Sequence, residues 1–282
     1  MRIQQWIKNL FIFAALIFSA RLFDLQDLLI TLRGFLLFSL AASGIYIFND
    51  IADLERDKLH PIKSQRPLPS GKLPVSVAAM SAAFLIGGSI MAAFFQNLGF
   101  GITLLLYAVL NVAYSLKIKD IVILDVMTIS AGFVLRVIGG ALLINVGASE
   151  WLIICTVLLS LFLGFSKRRH EITILESQAH THRAVLEHYS PYFLDQMIGI
   201  VTASTVMSYA LYTISEETVR KFGTSHLIYT VPFVLYGIFR YLYLVHKKIE
   251  GGNPTKAAVT DRPLLINIIL WIVAASLIIY RR

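Results

Sequence analysis

The sequence predicts an all-α, polytopic membrane protein of about nine transmembrane helices, and three observations carry that expectation. Of the 282 residues, 57% are hydrophobic and only 15% charged, and the mean hydropathy is +0.71. That balance lies outside ordinary soluble domains. Apolar runs near the ~20 residues that a bilayer-spanning helix needs recur along the whole chain. The period-two alternation of a transmembrane barrel is absent.

The spans follow in order. The first, 9–23, comes after Arg2 and Lys8 and runs into Ser19-Ala20, an imitation of a secretory leader. Because further spans follow, it reads as an uncleaved first helix. Residues 28–48 form the second span, with Arg33 inside it, and a polar interruption occupies 49–74. Spans 75–97 and 99–116 are nearly contiguous. The basic turn Lys117-Ile118-Lys119 leads into 121–145, and 151–166 ends at a second interruption, 167–191. Spans 192–214, 226–246 and 263–280 complete a single transmembrane domain over 1–282, with no internal repeat and no soluble second domain. The lone cysteine, Cys155, lies in an apolar run, which excludes a disulfide framework and a thiolate zinc site.

Lysine and arginine set the orientation. With the N-terminus inside, cytoplasmic segments hold seventeen of the twenty-five basic residues, whereas the opposite face holds Arg21, Arg220, Lys221 and Arg281-Arg282. The terminal pair fits an even number of spans better. The formal charge of +8 follows from this orientation and from anionic headgroups, not from nucleic acid. The active side therefore faces the cytoplasm of a cell membrane.

The first interruption opens with Asn49-Asp50-Ile51-Ala52-Asp53-Leu54-Glu55-Arg56-Asp57. Asp50, Asp53 and Asp57 are spaced i, i+3, i+7. A helix turns about 100° per residue, so the three carboxylates share one side, with Asn49 at its edge. Hard oxygen donors so gathered suit Mg2+. A basic, proline-rich stretch follows, with Lys63 and then Arg66-Pro67-Leu68-Pro69-Ser70-Gly71. The plainer reading is a solvated acidic face paired with Arg56 and Lys58. Against it, Asp50 and Asp53 follow Gly44-Ile45-Tyr46-Ile47-Phe48 without a polar spacer, where acids are costly unless compensated.

The second interruption reads Ser166-Lys167-Arg168-Arg169-His170-Glu171, with Glu176 and Glu187 beyond it. Lys167 and Arg168 share a helix face with Glu171, as a site or as an ordinary surface ion pair anchoring a span. Four of the seven histidines, His170, His180, His182 and His188, lie here, but His180 and His182 face apart on a helix, which disfavours a histidine metal site. A third cluster joins Tyr114-Ser115, Lys119 and Asp120 to Asp125 and Arg136. Asp125 and Arg136 are three helical turns apart, about 16 Å along one face. Ionisable groups within a span point to a cavity or a partner. For Arg33 and Arg240, interior pairing and snorkelling stand equally.

The run Asn49-Asp50-x-x-Asp53-x-x-x-Asp57, with Arg66-Pro67-Leu68-Pro69-Ser70-Gly71, resembles the first aspartate-rich motif of the UbiA superfamily of intramembrane prenyltransferases. That resemblance implies nine helices around a central cavity open to the cytoplasmic side, with the acids binding a diphosphate through Mg2+. The second superfamily motif is another Asp-x-x-x-Asp; here Lys167-Arg168-Arg169-His170-Glu171 stands in its place. This departure resembles the decaprenyl-phosphate phosphoribosyltransferase branch. Further matches are Gln5-Trp6-Ile7-Lys8-Asn9, Tyr114-Ser115 through Asp125, Ser130-Ala131-Gly132-Phe133-Val134-Leu135-Arg136, and Asn253-Pro254-Thr255 through Asp261-Arg262.

The resemblance implies a transferase that moves 5-phosphoribose from phosphoribosyl diphosphate to a polyprenyl phosphate, a step in making a cell wall precursor. It assigns catalysis to Asp50, Asp53, Asp57 and Asp125, and Mg2+ to Asn49, Asp50, Asp53 and Asp57. Substrate contacts fall to Lys8, Asn9, Lys63, Arg66, Tyr114, Lys119, Arg136, Lys167, Arg168 and Glu171. Partners so implied are the two substrates and the lipid bilayer, with a homo-oligomer left open. The first alternative is prenyl transfer from a prenyl diphosphate to an aromatic or lipid acceptor, against which the basic Lys167-Arg168 argues. The second is a lipid-phosphate transporter, against which the one-sided clustering of charge argues.

Overall fold

The computed structural model describes residues 3–59, 63–175, 184–247 and 254–280. Among them there are helices and turns and no strand. Eight helices are long and apolar enough to cross a membrane. They match eight of the nine sequence spans; the first span, 9–23, instead forms a 3-10 segment, Ile3–Ile12, that runs into a short helix, α1, Phe13–Phe18.

The described residues fall into two compact units, one running to Ala148 and one from Ser149 onward, with Ala184 and Val185 counted in the first. In the first unit, α2 (Leu25–Ala52) packs against α4 (Val75–Gln96), and α5 (Leu98–Leu116) packs on α4 and on α6 (Leu124–Leu143). Asp24 starts α2 by accepting the amides of Gln26 and Asp27 at 2.9 and 3.0 Å, and Asn97 caps α5 through the Phe100 amide. The core gathers Ile12, Leu16, Phe38, Phe100, Leu104 and Tyr107. Gly140 on α6 lets the N-terminal segment approach: a Cβ there would meet the Ile12 carbonyl oxygen at a separation no side chain tolerates.

In the second unit, α7 (Glu150–Leu175) packs along α8 (Pro191–Ile214). Ser190 caps α8, accepting the Phe193 amide, and Pro191 occupies its first turn. A short helix, α9 (Glu216–Phe222), ends at Gly223, whose φ of 68° is left-handed. Then α10 (Val231–Lys247), α11 (Pro254–Thr260) and α12 (Arg262–Tyr280) follow. Tyr209, Thr230 and Trp271 satisfy one another inside this unit at 2.7 and 2.9 Å.

Two helix ends differ from the sequence reading. Both α2 and α7 continue past the hydrocarbon-length runs, α2 to Ala52 and α7 to Leu175. Asn49-Asp50 therefore lie in the final turn of α2, and Lys167–Glu171 lie within the last two and a half turns of α7, not in loops.

Candidate active site

The acidic stripe is not one continuous helix. Asp53 (φ −96°, ψ 10°) leaves the α2 conformation, and a short helix, α3 (Leu54–Leu59), resumes beyond it. Helical hydrogen bonding still crosses the break: the Asp53 amide donates to the Asn49 carbonyl at 3.0 Å, and the Asp57 amide to the Asp53 carbonyl at 2.8 Å.

The proline-rich segment then folds back on itself. The Ser70 amide donates to Arg66, Gly71 to Leu68 and Leu73 to Pro67, while Leu68 is buried as an anchor. Gly71, at φ 75°, sits where only glycine is unstrained. This turn delivers Arg66 to the acids. Its Nη1 bridges Asp50 Oδ1 at 3.2 Å and Asp57 Oδ2 at 2.7 Å.

Asp53 is held from another direction. After α5 the chain makes a 3-10 turn, Ile118–Asp120, and Lys119 Nζ reaches Asp53 Oδ1 at 2.5 Å. The next residues are strained. Ile123 has φ 69° and ψ −47°, and the Leu124 amide donates to the Val122 carbonyl at 2.8 Å, the hydrogen bond of a γ-turn that a β-branched residue rarely adopts. Asp120 Oδ1 is buried and, among the described residues, has no hydrogen-bond partner. Asp125 is fully buried in the first turn of α6. Sequence reading quoted Asp120 but gave it no role, and nothing in the sequence marked Ile123.

Lys119 and Asp57 are buried, while Asp50 and Asp53 are about one-fifth exposed. Three carboxylates and the Asn49 amide, all hard oxygen donors, suit Mg2+ chemically. Here Arg66 and Lys119 take up carboxylate lone pairs, and among the described residues no three acidic, histidine or cysteine side chains form a ready-made cage.

Asn9 and Arg136 come together elsewhere in the unit. Arg136 is 4% exposed, and its Nε donates to Asn9 Oδ1 at 2.8 Å, Nη1 to the Gly132 carbonyl at 2.6 Å and Nη2 to the Tyr107 hydroxyl at 2.9 Å. The rings of Phe38, Tyr107 and Phe133 surround its guanidinium at 4.6–5.2 Å. Asn9 also donates to Ser39 Oγ, and Trp6 to Ser43 Oγ. The Gln5–Asn9 motif therefore docks the N-terminal segment onto α2 and α6. Asp125, on the same helix, is not among the hydrogen-bond partners of Arg136. Lys8 is half-buried on the N-terminal segment, and Tyr114 is half-buried near the end of α5. The side chain of Lys63 lies outside the described residues, as do His180, His182, Arg183, Glu176 and Asn253.

In the second unit, Arg168 is 1% exposed and its Nη1 meets Glu171 Oε2 at 2.6 Å, with Lys167 Nζ at 3.8 Å from Glu171 Oε1. His170 is buried, and His188 is exposed. The two intramembrane arginines separate. Arg240 makes a bidentate pair with Asp261 at 3.0 and 2.8 Å, and Asp261 also accepts the Leu264 amide at the start of α12. Arg33 is exposed on α2.

These features define a class: multi-pass helical membrane proteins with acids and bases clustered at the ends of their spans. The chain belongs to the UbiA prenyltransferase family, whose model matches residues 9–269. It is a transferase of that family. Over 99% of its length it is 30% identical to the decaprenyl-phosphate phosphoribosyltransferase of Corynebacterium glutamicum, covering 85% of that protein. It is 29% identical to the protein so named in Mycolicibacterium smegmatis, across 99% of this chain and 91% of that one. Its fold is similar to a UbiA homolog from Archaeoglobus fulgidus bound to DMAPP and Mg2+, with a TM-score of 0.73 and 18% identity over 99% of this chain and 97% of that one.

Proposed function

We propose that the protein transfers 5-phosphoribose from phosphoribosyl diphosphate to a polyprenyl phosphate, on the cytoplasmic side of a cell membrane. The observation that carries this reading is the basic pair Lys167-Arg168, held by Glu171 at the end of α7, where prenyl-transferring members of the superfamily place a second acidic motif. Near full-length similarity to two proteins named decaprenyl-phosphate phosphoribosyltransferase supports it.

In the reaction, an oxygen of the lipid phosphate forms a bond to the anomeric carbon of ribose as the bond from that carbon to diphosphate breaks. The acceptor is already an anion, so no general base is required. The chain's task is to hold the leaving group and align the nucleophile. Asp50, Asp53 and Asp57, with Asn49, would hold Mg2+, which offsets charge on the departing diphosphate. Arg66 and Lys119 would then exchange their carboxylates for diphosphate oxygens, and Lys167 and Arg168 would neutralise phosphate. Asn9, Tyr107 and the aromatic rings keep Arg136 in one rotamer, so its part is to position the helices lining the reaction.

The test offers purified protein with Mg2+ either radiolabelled phosphoribosyl diphosphate with polyprenyl phosphate, or a prenyl diphosphate with aromatic and lipid acceptors. Label entering lipid in the first arm alone is the expected result. Turnover confined to the second arm would replace this reading with prenyl transfer.

A further inference from the structure

A groove of about 600 Å3 runs between α8 and α10, within the size range of small-ligand sites of ~300–1,000 Å3. One face of α8 lines it from Asp195 to Ala210, and one face of α10 from Leu235 to His246. Small residues of α8 open it: Gly199, Ala203 and Ala210. Helix–helix packing does not require Gly199, because a Cβ there would meet nothing within 4 Å. A mid-helix glycine nevertheless costs about 1 kcal/mol relative to alanine.

Two polar features interrupt this apolar wall. At one end Asp195 Oδ1 accepts Arg169 Nε at 2.9 Å and lies 3.6 Å from His246 Nε2, and both Asp195 and His246 are exposed. Two helical turns further along, about 10 Å, Thr202 Oγ1 is buried with no hydrogen-bond partner among the described residues. Several hydroxyls of spanning helices return to the carbonyl four residues back, as Thr31, Thr103, Thr156 and Thr205 do at 2.6–2.8 Å. Thr202 departs from that habit, as Ser166 on α7 also does, and of the two it is Thr202 that lines the groove.

We infer that this groove binds a diacyl aminophospholipid. Its ammonium would pair with Asp195, its phosphate with Arg169 and His246, an ester carbonyl would accept the Thr202 hydroxyl, and an acyl chain would lie along Ala203, Phe239 and Leu242. Charge decides against a polyprenyl phosphate here: a purely anionic head would meet Asp195, and at the depth of Thr202 such a lipid has only hydrocarbon. The site is separate from the residues assigned to transfer.

Native mass spectrometry of the detergent-purified protein tests it with four probes: dioleoyl phosphatidylethanolamine, dioleoyl phosphatidylcholine, an ether-linked phosphatidylethanolamine and polyprenyl phosphate. The ester phosphatidylethanolamine is expected to be retained at one equivalent, at least fivefold better than the choline or ether lipid. Gly199→Leu and, independently, Ala203→Leu should abolish that retention, and Asp195→Asn should remove the preference over choline. Equal retention of ester and ether lipids, preferential retention of polyprenyl phosphate that the groove-filling variants abolish, or no specific retention of any lipid would overturn the assignment. The ester-against-ether comparison uses the unaltered protein, so it stands even if a variant fails to fold.

Discussion

Arg66 and Lys119 give the acidic stripe its stability before any ligand arrives, Arg66 by bridging Asp50 and Asp57 and Lys119 through one short contact with Asp53. Lys119 is nearly buried against Asp53, so neutralising the acid strands a cation. Asp53→Asn should therefore lower both activity and stability, the latter by about 1–3 kcal/mol, read as a fall in Tm in detergent. Adding Lys119→Met should restore Tm without restoring activity; recovery of turnover in the double variant would rule out a direct role for Asp53. Lys119→Met alone frees the Asp53 carboxylate. Binding of Mn2+, followed by electron paramagnetic resonance without substrate, should tighten several-fold, while inhibition by diphosphate should weaken by about tenfold, the worth of one charge-assisted hydrogen bond. Unchanged Mn2+ affinity would mean that Lys119 does not compete for that carboxylate. Arg136 works differently, since its partners are neutral oxygens and rings. Arg136→Met leaves Asn9 and Tyr107 buried without it and should cost about 3 kcal/mol, whereas Tyr107→Phe should cost about 1 kcal/mol. Equal thermal shifts for the two would refute that cage.

At the scale of elements, the N-terminal segment depends on how closely it meets α6 and α2. Because Gly140 faces the Ile12 carbonyl, Gly140→Ala must push the segment outward and disturb the Asn9–Arg136 and Trp6–Ser43 bonds. The expected outcome is rapid limited proteolysis near residues 3–18 with the remaining helices intact; a protected N-terminus would show that the contact relaxes at no cost. The same elements show what was readable in advance. Eight spans were legible because apolar runs report burial in hydrocarbon directly. The extra turns of α2 and α7 were not, because hydropathy marks the membrane border and says nothing about where helical hydrogen bonding stops. The spacing of Asp50 and Asp57 fits their shared contact with Arg66, but the break at Asp53 and its separate pairing with Lys119 were not legible. Nor were the partners: Lys119 reaches Asp53 across 66 residues, and Arg136 reaches Asn9 across 127. Such pairs are made by tertiary packing, which no local pattern encodes.

For the whole molecule, the testable property is sidedness. With the eight long apolar helices crossing in alternation, fifteen of the twenty-five lysines and arginines fall in segments on one side, and basic residues are retained on the cytoplasmic face. Ser70, in the exposed turn after Arg66, is expected on that face. Five spanning helices, α4 to α8, separate it from the exposed Ser225, and an odd number of crossings puts Ser225 on the opposite face. The chain's one cysteine makes the experiment simple, because Cys155→Ser clears the background. In that background, Ser70→Cys should react with a membrane-impermeant maleimide in inverted vesicles and not in right-side-out vesicles, and Ser225→Cys should show the reverse. If the two positions label from the same side, one of the five helices does not cross. If both labels are inverted, the acids and the Lys167-Arg168 pair face away from the cytoplasmic supply of a soluble sugar diphosphate, and the proposed donor fails with the orientation.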